Sequence, residues 1–199
     1  MDIRTRSLEL LAIYLVLFLS VTDLKAAANP RERVASYRMS SGRTGVLFDT
    51  AIYYGQSEAS AEPAVSNEWK NLTSVYDIKL GYVFNSSIYL GGEFSTRNDA
   101  IGPVTSNGST GAVGIGLFWG SGFNLRSYYR FDESWGYYSN GTGFQADLGY
   151  MHNLTSNFYI GLLVSHRQTT YTKNNLIAGF QSFTKKDTQP MLTVGFLIN

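Results

Sequence analysis

The chain has 199 residues, a formal net charge of +1 and no cysteine. Near-neutral charge offers no basic surface for nucleic acid, and the missing cysteines exclude a disulfide scaffold, a thiolate metal site and a cysteine-linked lipid anchor. Charged residues make up 16% and aromatics 15%, with 20 glycines; soluble domains carry about 25% charge, so the composition suits a wall against lipid better than a surface against water.

The N-terminus reads as an address. Arg4 and Arg6 precede the apolar run Leu10–Leu19, and Ala26-Ala27-Ala28 supplies a small-residue cleavage pattern. Residues 1–28 are therefore expected to be a signal peptide cut after Ala28. A spanning helix needs about 20 apolar residues, and Asp23 and Lys25 close the run too early. Residues 29–44, with Arg31, Arg33, Arg38 and Arg43, read as a polar leader.

From Gly45 the pattern changes to a period of two. Ser74, Tyr76, Ile78, Leu80, Tyr82 and Phe84 share one face; Val75, Asp77, Lys79, Gly81 and Val83 share the other. Such alternation is the mark of a strand between two environments. Eight segments carry it: 45–56, 73–84, 88–97, 110–119, 123–132, 142–152, 158–169 and 188–199. Short turns are expected at 85–87, 120–122 and 155–157, and longer loops at 57–72, 98–109, 133–141 and 170–187. Asn-x-Ser/Thr triplets begin at Asn71, Asn85, Asn107, Asn140 and Asn153; at turns and loop ends, Asn is favoured for backbone reasons. Residues 45–199 thus read as an all-β, eight-stranded, antiparallel up-and-down transmembrane barrel, with long loops on one side and short turns on the other.

The two faces differ in chemistry. The apolar face carries aromatic rings at both ends. Tyr82, Phe84, Trp119, Phe123, Tyr150, Phe158 and Phe196 lie toward the short turns; Tyr54, Tyr76, Tyr129, Phe131 and Phe144 lie toward the loops. Aliphatic residues fill the band between, and two girdles around such a band match a membrane wall. The other face carries Asp49, Asp77, Glu93, Asp132 and Asp147 against Lys79, Arg97, Arg126, Arg130 and Arg167. A buried lone ion costs several kcal/mol, so these ten groups are expected to pair in a lumen without a continuous pore. A soluble sandwich or lipocalin would show similar alternation. Against it, a water-facing strand recruits lysine, and Lys79 is the only one in the eight segments.

With these features the chain resembles the small bacterial outer-membrane barrels such as OmpX and the barrel domain of OmpA. The resemblance is one of architecture, covering 1–28 as signal and 45–199 as barrel. It implies residence in the bacterial outer membrane, contact with its lipid and lipopolysaccharide, and insertion by the outer-membrane assembly machinery, which reads the last strand. Thr193, Gly195 and Ile198 match that signal, whereas its terminal aromatic is replaced by Asn199 and Phe196 stands out of place.

Some barrels of this kind edit lipid A, which raises the question of catalysis. Ser165 and His166 are adjacent and so point to opposite faces, and Gln168 stands where a deacylase would need serine. No metal spacing or cofactor motif is present. The expected function is a monomeric, non-enzymatic barrel with a charge-filled, non-conducting lumen, serving envelope structure or surface interaction. Trp69, Trp135, Tyr137 and Tyr138 would meet an extracellular partner or fold back on the rim. The alternatives are a narrow channel for small solutes and a lipid A-modifying enzyme.

Overall fold

Eight antiparallel strands close on themselves in chain order. They are β1 (Gly45–Glu62), β2 (Trp69–Phe84), β3 (Ile88–Ile101), β4 (Val104–Phe118), β5 (Phe123–Trp135), β6 (Tyr138–Asn153), β7 (Phe158–Asn174) and β8 (Phe183–Ile198). The computed structural model describes residues 44–198 apart from 63–68, 86, 102–103 and 156, and not the side chains of 57–62, 69–71 and 101. The expected signal peptide, nearly all of the leader, the side chain of Trp69 and Asn199 lie outside the described residues. Among the described residues there is no helix.

Period-two alternation places each residue. In β7, Tyr159, Gly161, Leu163, Ser165, Arg167 and Thr169 are buried inside, while Ile160, Val164 and His166 are exposed outside. The twelve girdle aromatics expected from the sequence all sit on strand positions of outward parity or, for Trp119, at the adjoining turn. Ring pairs form along the short-turn end: Tyr82–Phe84, Phe123–Tyr150 and Phe158–Phe196 have centroids 4.8, 5.0 and 4.9 Å apart.

The strands run further than the alternation of apolar residues. The expected loops 98–109 and 133–141 are mostly ladder, with only 102–103 and 136–137 between strands. In these extensions the outward residues are polar too, as at Asn98, Ser109 and Thr172. Without an apolar face the sequence carries no period, yet the ladder continues because the neighbouring strand supplies hydrogen-bond partners. Asn71 and Asn107 accordingly lie within strands, whereas Asn85 and Asn140 take turn-like positive φ values of 47° and 54°.

At the β4–β5 turn Gly122 has a φ of 94°, its carbonyl accepts from the Met151 amide at 2.9 Å, and a side chain there would meet the Met151 oxygen at 2.5 Å. Both conditions call for glycine.

The closing pair has an irregularity. β1 pairs with β8 from Val46↔Ile198 to Ile52↔Leu192 and again from Ser60↔Lys186, with the register shifted between. Pro190 falls in that interval, and β7–β8 pairing runs past it unbroken through Val164↔Pro190. Proline brings no amide to a ladder, and the interrupted ladder is the one to β1.

Inside the short-turn end, Leu47, Val83, Tyr89, Phe118, Tyr128, Met151, Tyr159 and Leu197 form an apolar floor. Tyr89 lies across Gly81 and Gly91, and a Cβ on Gly81 would collide with its ring and sit 2.7 Å from the Leu90 oxygen. Gly81→Val should therefore lower stability by about 1–3 kcal/mol, read as a shift of the urea unfolding midpoint in detergent, while Gly120→Ala, with nothing within 4 Å of its Cβ position, should leave it unchanged.

Candidate functional site

The site with the densest chemistry is the lumen. Lys79, Arg97, Arg126, Arg130, Arg167 and Lys185 face Asp49, Asp77, Glu93, Asp99, Glu133, Asp147 and Asp187. The groups fall into three clusters.

The lowest rests on the apolar floor. Arg126 Nη1 donates to Asp49 Oδ2 at 2.5 Å, and Tyr159 donates to the same oxygen at 3.0 Å. Thr193 donates to Asp49 Oδ1 at 3.4 Å.

The middle cluster crosses the barrel. Lys79 Nζ lies 2.5 Å from Asp147 and 3.3 Å from Glu93. Gln145 donates to Glu93 at 2.8 Å and to Asp147 at 3.0 Å while its carbonyl oxygen accepts from Arg130. Arg167 Nη2 donates to Asp77 at 2.5 Å, and Ser95 donates to the other Asp77 oxygen at 2.7 Å. All five strands β2, β3, β5, β6 and β7 contribute, so each charge meets partners from strands that are not its neighbours. Such multiple satisfaction is what a low-dielectric interior demands of a charge.

The upper cluster lies under the long-strand mouth. Asp99 accepts from Arg97 at 2.7 Å, Lys185 at 2.8 Å, Trp135 Nε1 at 2.8 Å and Thr73 at 2.6 Å. Arg97 also pairs with Asp187. Trp135, Tyr138, Tyr171, Phe180 and Phe183 then pack over the cluster as an aromatic lid. Trp135 stacks on Phe183 at 6.1 Å with planes 8° apart, and Lys185 Nζ sits 3.9 Å from the Trp135 ring centre. Trp135 and Tyr138 therefore turn into the mouth, and Tyr137 is the exposed aromatic of that turn.

One sequence expectation is overturned. Asp132 is not in the lumen: it is exposed, with φ 52°, at a shift in the registers of β5 with both β4 and β6. The extra residue of a bulge reverses the parity beyond it. Glu133 takes the inward place, accepting from Arg130 at 3.0 Å, Thr169 at 2.9 Å and Tyr171 at 2.6 Å. The other nine expected lumen charges point inward.

Asp99, Glu133, Lys185 and Asp187 join the lumen network from outside the ten charges expected there. Three had a usable signal. Asp99 continues the parity of Glu93, Ser95 and Arg97, and Lys185 and Asp187 continue that of Gln189 and Met191.

Ser165 and His166 stay apart: Ser165 accepts from Arg167 Nε inside, while His166 Nδ1 lies 2.8 Å from the Thr188 hydroxyl outside. Among the described residues, no three His, Asp or Glu side chains are grouped to hold a metal ion.

No family model matches the chain, and no curated protein matches its sequence. Among solved structures it is similar to the outer membrane protein OprG from Pseudomonas aeruginosa, with 10% identity over 82% of this chain and 99% of that one, at a TM-score of 0.40. It is also similar to the outer membrane enzyme PagL, with 12% identity over 75% of this chain and 99% of that one, at a TM-score of 0.35.

Lys79→Met or Asp147→Leu alone strands a buried charge and should cost about 3–5 kcal/mol. The double variant should cost clearly less than the sum, measured by urea unfolding of the refolded barrel. The bulge gives a second expectation: Glu133→Gln should lose about 1–3 kcal/mol because a charge-assisted acceptor is removed, while Asp132→Asn should stay within about 0.5 kcal/mol of the parent.

Proposed function

We propose that this chain is a bacterial outer-membrane barrel with a sealed lumen, acting in envelope structure or in recognition through its outer mouth. The observation that carries the reading is the inversion of ordinary burial. Ile52, Leu80, Ile115, Tyr129, Phe144 and Leu148 are each at least 50% exposed on the wall, while Arg126, Lys79 and Asp147 are at most 1% exposed inside. Leaving a large apolar side chain in water forfeits about 1.5–3 kcal/mol. Repeated around a whole cylinder, that penalty makes lipid the solvent this surface fits. The closed ladder satisfies the backbone, which hydrocarbon also requires.

The contents of the lumen support its being sealed. An eight-stranded barrel has room for little beyond its own side chains, and here they form an apolar floor, three ionic clusters and an aromatic lid. Neither catalysis nor a solute path is part of the reading: Ser165 and His166 do not meet, and ion pairs span the lumen. In this reading the barrel is a monomer, delivered by its signal peptide and inserted by the assembly machinery. It contacts outer-membrane lipid and lipopolysaccharide along its wall. At the outer mouth Tyr137, Leu176 and Ile177 are 57%, 67% and 54% exposed. The Asn175 amide donates to the Tyr137 backbone carbonyl oxygen at 3.0 Å, joining two neighbouring connections into one apolar tip that an extracellular partner would meet.

Planar-bilayer recording of the refolded protein tests the reading, with heat-modifiable gel mobility reporting the folded barrel. The folded parent should be electrically silent, and removing the charges at Lys79, Glu93, Arg130 and Asp147 together should produce currents. Reproducible currents from the parent would overturn the sealed lumen.

A further inference from the structure

The outer wall is not uniformly apolar. Across β1–β5, at the level of the girdle residues Tyr54 and Tyr76, its outer side is hollowed into an open groove of about 600 Å³, within the range of about 300–1,000 Å³ usual for small-molecule sites. Thr96 and Ser109 face one another across β3 and β4 on its floor, as do Asn98 and Asn107, and Tyr54 and Tyr76 stand at the edge. Tyr54 is 76% exposed.

The chemistry of the groove is specific. Asn98 Nδ2 donates to Asn107 Oδ1 at 2.8 Å. That bond uses one end of each amide and leaves an acceptor on Asn98 and a donor on Asn107. Hydroxyls of Thr96 and Ser109 lie alongside. Arg97, the charged residue among those lining the groove, has its guanidinium on the lumen side with Asp99 and Asp187. Paired donors and acceptors, tyrosine rings and no free charge are the features that recognise sugar hydroxyls rather than phosphate or ammonium groups.

A second feature lies further down β3, on the far side of the exposed Phe94 from Thr96. Gly92 is at an outward position between Leu80 and Val113, both more than half exposed, and an added Cβ would meet only the Ala112 oxygen, at 3.3 Å. The lipid-facing wall is thus dented under the polar groove. A chain running down from the groove would pass the Phe94 ring to reach this dent.

We propose that this groove binds the sugar head group of an uncharged glycolipid of the surrounding leaflet, with one acyl chain lying over Gly92. The inference rests on the lipid-facing reading above and adds to it a site and a ligand class. Ser109→Trp fills the groove and Gly92→Leu fills the dent; both side chains project away from the lumen, so the ionic clusters are untouched.

The test is native mass spectrometry of the full barrel released from phosphatidylcholine nanodiscs doped with digalactosyl diacylglycerol. The parent should retain the glycolipid in preference to phosphatidylcholine, and each variant should lose about tenfold in retention, or roughly 1.4 kcal/mol. Thr170→Trp, on the outer face of β7, should retain it like the parent. Equal retention by parent and groove variants would overturn the proposal, as would preference for phosphatidylglycerol at the same loading or displacement by equimolar free digalactose, which lacks the chain over Gly92. A barrel that enters the nanodisc but shows no glycolipid preference sinks this proposal alone. One that fails to enter a bilayer sinks the lipid-facing reading with it.

Discussion

Closure of the hydrogen-bonded ladder is the constraint from which the remaining structure follows. Once β1 pairs with β8, every strand has two neighbours and each residue has two destinations, lumen or wall. A strand cannot turn a side chain to the other face without an added residue. The sequence must therefore write two surfaces in alternate letters, and the wall of Leu80 and Ile115 and the lumen of Lys79 and Asp147 are those two texts.

The lumen then becomes a packing problem with fixed volume. Tyr89 fits because Gly81 and Gly91 leave it space, and Tyr159 fits beside Gly195 in the same way. Charges fit only when paired. Asp99 gathers four donors and Glu133 three, from strands spread around the cylinder. Such ion networks contribute little net stability compared with apolar packing of equal volume, because desolvation offsets attraction. What they penalise is any alternative register, since a one-residue slip would place a whole row of ions in the wall.

The sequence displayed the barrel wherever one face of a strand is apolar and the other polar. The parity that puts Asp77, Lys79 and Val83 together is visible without coordinates, and so is the set of outward aromatics from Tyr82 to Phe196. It became silent where both faces are polar, which is why the ladder through Asn98 and Asn107 read as a loop and why Lys185 and Asp187 went unseen. Asp132 failed for a different reason. A bulge changes parity by one residue, and its signature is a backbone conformation (φ 52°) that Asp tolerates but does not announce. The partners of each charge were equally hidden, because Lys79 on β2 reaches Asp147 on β6 across the lumen, a pairing that depends on barrel diameter rather than on spacing along the chain.

The interrupted stretch between Ile52 and Ser60 gives the cylinder a mechanical direction. A ring hydrogen-bonded evenly all round resists squeezing alike from every side. This one has its longest break in pairing at the seam of β1 with β8. In the proposed bilayer setting, lateral pressure would be met by fewer ladder bonds here than along the unbroken β2–β3, β3–β4, β6–β7 and β7–β8 pairs. The junction of the first and last strands is thereby the line along which the cylinder has least to hold its girth.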